Sequence, residues 1–142
     1  EMCSQSLRGS IGPGWAVTAQ TLKSTLKVTK ALADMQRIRI LLLLEGGELC
    51  VCRIIAVLGL APSTVSKHLS LLSAAGLVEA RKDSRWVYYR LPQGSGAGPV
   101  RPVLDWLKET LRGDVTVEAD KALLEEVLAL DQCDVARNQR SR

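Results

Sequence analysis

Little in this 142-residue chain is suited to catalysis: there is one histidine, His68, no Gly-rich phosphate loop, and no nucleophile with a base and an orienting group. An enzyme is not expected. Cysteine is scarce too, and its four members at 3, 50, 52 and 133 do not form a disulfide framework, since two are separated by one residue. A reducing cytoplasm fits better. The longest apolar stretches, Ile40 to Leu44 and Ile54 to Leu58, fall far short of the roughly 18 residues that a membrane span needs, so a soluble protein with no membrane partner is expected. The first twenty residues lack the basic-then-apolar order of a secretory signal and are rich in Gly and Ser, which makes residues 1–20 an expected flexible leader.

What is present is a chain that is 46% apolar, enough for one compact domain. Nineteen Lys and Arg stand against 15 acids, and an isoelectric point near 9.1 permits a polyanionic partner. From Thr21 to Leu32 the residues Leu22, Leu26, Val28 and Leu32 recur at roughly helical spacing with Lys23, Lys27 and Lys30 between them. Asp34 can cap a second helix through "MQRIRILLLLE", whose apolar density marks the centre of the core, and Gly46-Gly47 ends it. A third, short helix is expected from about Glu48 through Leu58, and a fourth from Pro62 to the stop at Gly76.

The fourth segment carries Val65, Leu69 and Leu72 on one stripe, while Ser63, Thr64, Ser66, Lys67, Ser70 and Ser73 form its outer face. Short hydroxyls, one lysine and the lone histidine suit an approach to phosphates and base edges, although the same pattern describes an ordinary solvated helix surface. Next, "LVEARKDSRWVYYRL" reads as a β-hairpin whose tip gathers Arg81, Lys82 and Arg85. A basic hairpin directly after a helix-turn-helix unit points to duplex DNA.

"PQGSGAGP", residues 92–99, reads as a flexible linker. Beyond it, Val100, Val103, Leu104, Leu107 and Leu111 line one helix, and Ala119, Leu123, Val127 and Leu130 another. With the Thr21 to Leu32 helix, these are expected to build a two-fold dimer interface. The expected division is a mainly α winged helix-turn-helix domain with flanking dimerisation helices over residues 21–112, an additional helix over 113–130 and a disordered basic tail over 131–142.

The box "ELCVC" at Glu48 to Cys52, "TVSKHL" at Thr64 to Leu69, "AGLV" at Ala75 to Val78 and "WVYYRL" at Trp86 to Leu91 stand in one order. In that order they resemble the arsenical-resistance repressor family of winged-helix metal sensors, over roughly residues 18 to 112. The resemblance implies a homodimeric transcriptional repressor that holds double-stranded operator DNA when unliganded. It would release that DNA when trivalent arsenic or antimony, As(III) or Sb(III), binds the box cysteines, and no constitutive cofactor is implied. Carried over by position, Ser63, Thr64, Ser66, Lys67 and His68, with Lys82 and Arg85 on the hairpin, would read DNA.

Two departures stand out. The third cysteine common three positions after the second is Ile55 here, and the recognition helix opens on Ala61-Pro62 rather than on a Ser or Thr cap. In a regular helix Cys50 and Cys52 point about 200° apart, so joint chelation requires an irregular first turn. The metal site is therefore read as Cys50 and Cys52 with Cys133 as third ligand, Cys3 or an exogenous ligand being the alternatives. Thiolates select soft acceptors. The alternatives are a redox or sulfur sensor that uses the same cysteines and, behind it, a protein-binding winged helix, and free cysteines often act as small buried hydrophobes.

Overall fold

The computed structural model describes residues 21–140, and both the expected leader and Cys3 lie outside the described residues. Thr21 caps helix α1 (Leu22–Leu32): its hydroxyl accepts from the Ser24 amide at 3.0 Å while Ser24 accepts from the Thr21 amide at 2.9 Å. Asp34 caps α2 (Met35–Leu44) by accepting from the amides of Gln36 and Arg37. Ile40, Leu41, Leu43 and Leu44 of this helix are buried, and it is the centre of the core as its composition implies.

A two-residue strand β1 (Leu49–Cys50) leads into α3 (Val51–Leu58), and Gly59 turns the chain at a left-handed φ of 69° into α4 (Pro62–Ala74). Strands β2 (Glu79–Asp83) and β3 (Trp86–Arg90) form the hairpin, with Ser84 at a φ of 56° in its tight turn. The sheet order is β1-β3-β2, antiparallel throughout, with Leu49 opposite Tyr89 and Cys50 opposite Tyr88. Helices α5 (Val100–Thr110), α6 (Val115–Ala129) and α7 (Gln132–Arg140) complete the described chain. The architecture is the expected winged helix-turn-helix: mostly helical with a small antiparallel sheet.

The structure departs from the sequence reading at four places. Glu48 to Cys50 do not open a helix, because backbone pairing with Tyr88 and Tyr89 holds Leu49 and Cys50 extended. The expected linker contains a single 3₁₀ turn, Gly94–Ala97. Helix α6 packs partly within its own chain, burying Val117, Asp120 and Val127, while Ala119, Leu123 and Leu130 of the face expected to meet a partner are exposed. The segment expected as a disordered tail is helical from Gln132 to Arg140, because Asp131 accepts from the Cys133 amide at 2.8 Å and Val135 enters the main core. Its polar composition hides this docking, which depends on one apolar residue and on partners far away in the chain.

Candidate nucleic-acid interface and thiol pair

The DNA-facing expectation rests on α4 and the hairpin. Val65, Leu69 and Leu72 fix one side of α4 in the core, which leaves Ser63, Thr64, Ser66 and Lys67 exposed. No side chain caps this helix at Ala61, and Pro62 occupies its first turn, where a missing N–H costs nothing. His68 points inward instead. Its Nδ1 accepts from the Arg37 guanidinium at 3.3 Å and lies 3.9 Å from an Asp34 carboxylate oxygen, so it ties α4 to the start of α2. Arg37 also donates to the carbonyls of Ala31 at 2.6 Å and Lys30 at 3.1 Å, which joins α1 to the same knot. Sequence reasoning assigned His68 by position and missed Arg37 and Asp34, because helical periodicity does not identify tertiary partners.

On the hairpin Lys82 is exposed, whereas Arg81 is engaged by Glu48 (2.5 and 2.9 Å) and stacks 4.4 Å over the Tyr88 ring. That clamp holds the Glu48 carboxyl below its ordinary range and ties β2 to the segment entering β1. Arg85 is exposed, lies 4.7 Å over the Trp86 ring and donates to the Cys133 thiol at 3.2 Å.

Cys50 and Cys52 meet at the joint between strand and helix. Cys50 is extended (φ −66°, ψ 145°) as the residue before α3, and Cys52 follows in its first turn. The 200° separation of a regular helix does not apply, and the Cys52 thiol donates to Cys50 Sγ at 3.2 Å. No further distortion of the turn is needed to bring them together. Both are buried, at 2% and 7% exposure. Burial first, then the contact with Cys50, pushes the Cys52 thiol up to about 12, against a smaller opposing pull from Arg53. At neutral pH Cys52 is a protonated thiol.

The pair borders a cleft of about 360 Å³ whose walls include Ser66 and Leu69 of α4 and Arg85 and Trp86 of the hairpin. Gln139 of α7 also borders it and donates to the Cys52 carbonyl at 2.5 Å, while Gln132 donates to the Tyr88 hydroxyl at 3.1 Å. Cys133 does not join the pair: among the described residues no three His, Cys, Asp or Glu side chains gather as a metal site. Nor is any single helix among them long and apolar enough to cross a membrane.

Residues 34–80 match the model of a family described as "Bacterial regulatory protein, arsR family". Over 98 residues the chain is 37% identical to an arsenic resistance transcriptional regulator of Pseudomonas putida, covering 68% of this chain and 76% of that protein. It is 46% identical over 67 residues to the arsenical resistance operon repressor of Escherichia coli, covering 46% of this chain and spanning 57% of that repressor's length. Among solved structures it resembles the homodimeric winged helix-turn-helix DNA-binding domain of a possible ArsR-family regulator from Mycobacterium bovis. That likeness has a TM-score of 0.53 at 30% identity and covers 68% of this chain and 96% of that one.

Proposed function

The chain belongs to the arsR family of bacterial regulatory proteins, which are transcriptional regulators and not enzymes, and on that premise we propose that it is a homodimeric, cytoplasmic repressor released from operator DNA by trivalent arsenic or antimony at Cys50 and Cys52. The observation that carries this reading is the thiol contact of 3.2 Å in a cleft whose walls include Ser66 and Arg85, residues assigned to DNA. An effector held by the thiols occupies space between recognition helix and wing, so its binding energy is paired with a change in their spacing. Coupling passes through the volume of the cleft rather than through unwinding of a helix.

The protonated Cys52 thiol favours a metalloid over a divalent cation. Arsenous acid, As(OH)₃, condenses with two thiols to give (RS)₂AsOH and two waters: each thiol proton leaves with a hydroxide, and no net charge is buried. A divalent ion must instead expel protons from a buried site that resists ionisation. Cys133 is the third thiol in this reading. It is recruited when Arg85 lets go of it, and a third water leaves as the last As–O bond is replaced by As–S. The exposed Leu22 and Leu26 of α1 and Trp106 of α5 supply apolar surface for the second copy. Ser63, Thr64, Ser66 and Lys67, with Lys82 and Arg85, contact DNA, and His68 positions the helix that carries them.

The test is fluorescence anisotropy of the reduced protein on labelled duplex from upstream of its own gene, titrated in parallel with arsenite, cadmium and an oxidant. Release by near-stoichiometric arsenite, lost in both Cys50→Ser and Cys52→Ser while their DNA binding persists, is the expected result. Cys133→Ser should weaken the response without abolishing it. Arsenite affinity should change little from pH 6 to 8, whereas cadmium affinity should climb as protons become easier to remove. Release by oxidant alone would replace the metalloid with thiol oxidation, and indifference to duplex DNA would overturn the regulatory reading.

A further inference from the structure

Helix α1 has three faces. Val28 and Ala31 are buried, Leu22 and Leu26 are exposed and apolar, and Lys23, Lys27 and Lys30 lie between those two, within about 60° of one another at 100° per residue. All three lysines are exposed. Among the described residues none of them is ion-paired, and the sequence has no acid from position 2 to position 33.

The row continues onto the recognition helix. Lys27 and Lys30 line a groove of about 350 Å³ whose other wall is Leu71, Ala74 and Ala75 at the end of α4. Leu71 and Arg37 border this groove and also the next concavity, which holds Ser63, Thr64 and Lys67. From the start of α4 to the middle of α1 the surface therefore runs without a carboxylate in its lining. Asp34 is the acid nearest in sequence, and it is turned toward Arg37 and His68. Between Glu48 and Glu79 the chain has no acid either.

Resting on the reading of this protein as a DNA-binding regulator, we infer that Lys23, Lys27 and Lys30 are a second phosphate-binding row, gripping the DNA backbone beside the segment read by α4. A lysine row serves position and affinity, not sequence choice, since phosphates carry no base code. Its length fits: the seven residues from Lys23 to Lys30 rise about 10 Å, which spans about three phosphates of one strand. The position of the row beside Leu22 and Leu26 also fits a dimer, because two copies joined through those leucines would carry two such rows. Sequence-independent grip on both flanks would let the short, hydroxyl-rich face of α4 do the discriminating.

The experiment compares the full chain with a triple variant, Lys23→Gln, Lys27→Gln and Lys30→Gln, by anisotropy on labelled duplex across a series of salt concentrations. A control variant, Arg101→Gln, Lys108→Gln and Arg112→Gln, removes the same charge from cations that are already paired with Glu45 and Glu109. Because each lost phosphate contact removes about one unit from the slope of log affinity against log salt, the lysine variant should lose about three units per protomer and the control under one. Lys27→Gln alone should lose about one unit, which keeps the test open should the triple variant fold poorly. Sedimentation should give both triple variants the mass of the unaltered protein. An unchanged slope in the lysine variant, or an equal loss in both, overturns the row as a DNA contact. Failure of the unaltered protein to bind duplex would instead overturn the regulatory reading beneath it.

Discussion

Helices α4 and α6 treat their polar groups in opposite ways: α4 is rich in serine and has no acid, whereas α6 carries four acids. Helix α6 is capped by Asp114, which accepts from the amides of Thr116 and Val117 at 2.9 and 3.1 Å, whereas α4 begins at Ala61 with no side-chain cap. Three cations beside α6 are ion-paired: Lys121 with Glu118, Lys108 with Glu45, and Arg39 in a two-pronged pair with Asp120 at 2.7 Å for each bond. Around α4, Lys67 and the lysines of α1 have no such partner among the described residues. Polar groups satisfied inside the chain hold the fold, and those left open are the ones that the proposed reading assigns to DNA.

The strongest way to break this contrast is at Asp120, only 6% exposed. Asp120→Ala leaves the Arg39 guanidinium with Gln36 but no carboxylate and should cost about 3 kcal/mol of unfolding free energy in a urea titration. Lys67→Ala with Arg85→Ala should cost no more than about 1 kcal/mol of that stability, chiefly the stacking of Arg85 on Trp86, while lowering DNA affinity and its salt slope. A comparable loss of stability in both variants would erase the distinction between the two regions. A smaller effect is expected at the caps. Asp114→Ala should cost about 1 kcal/mol, and Ala61→Ser should return up to about 1 kcal/mol to α4, both read by thermal unfolding.

Alkaline pH sharpens the comparison at the thiols. Unfolded Cys52 ionises near its ordinary value of 9.0, but in the fold burial holds it protonated to about 12. Stability should therefore be complete below pH 9 and fall as pH climbs from 9 toward 12. Cys52→Ser should flatten that decline. The smallest expected effect is at the Glu48–Arg81 clamp, where a carboxyl held below its ordinary range stabilises the wing above about pH 4.5 and loses that contribution as pH falls. Faster amide exchange of β2 in acid, relative to α6, is the measurement that checks it.

The sequence by itself determined the order of the elements, the buried faces of α2 and α4, the basic hairpin and the box that places two cysteines beside a recognition helix. Each of these is written in local spacing: a 3.6-residue stripe, a glycine stop or a run of strand formers. Only the tertiary structure decided that Cys50 belongs to a strand, because its partner, Tyr88, stands 38 residues away on the wing. That pairing is what brings the two thiols into contact. It was likewise tertiary structure that turned His68 inward onto Asp34, joined Arg39 to Asp120 and laid α7 across α3 through Gln139. Such contacts link positions separated by tens of residues and leave no period in the chain, so they exist only once the core has closed around them.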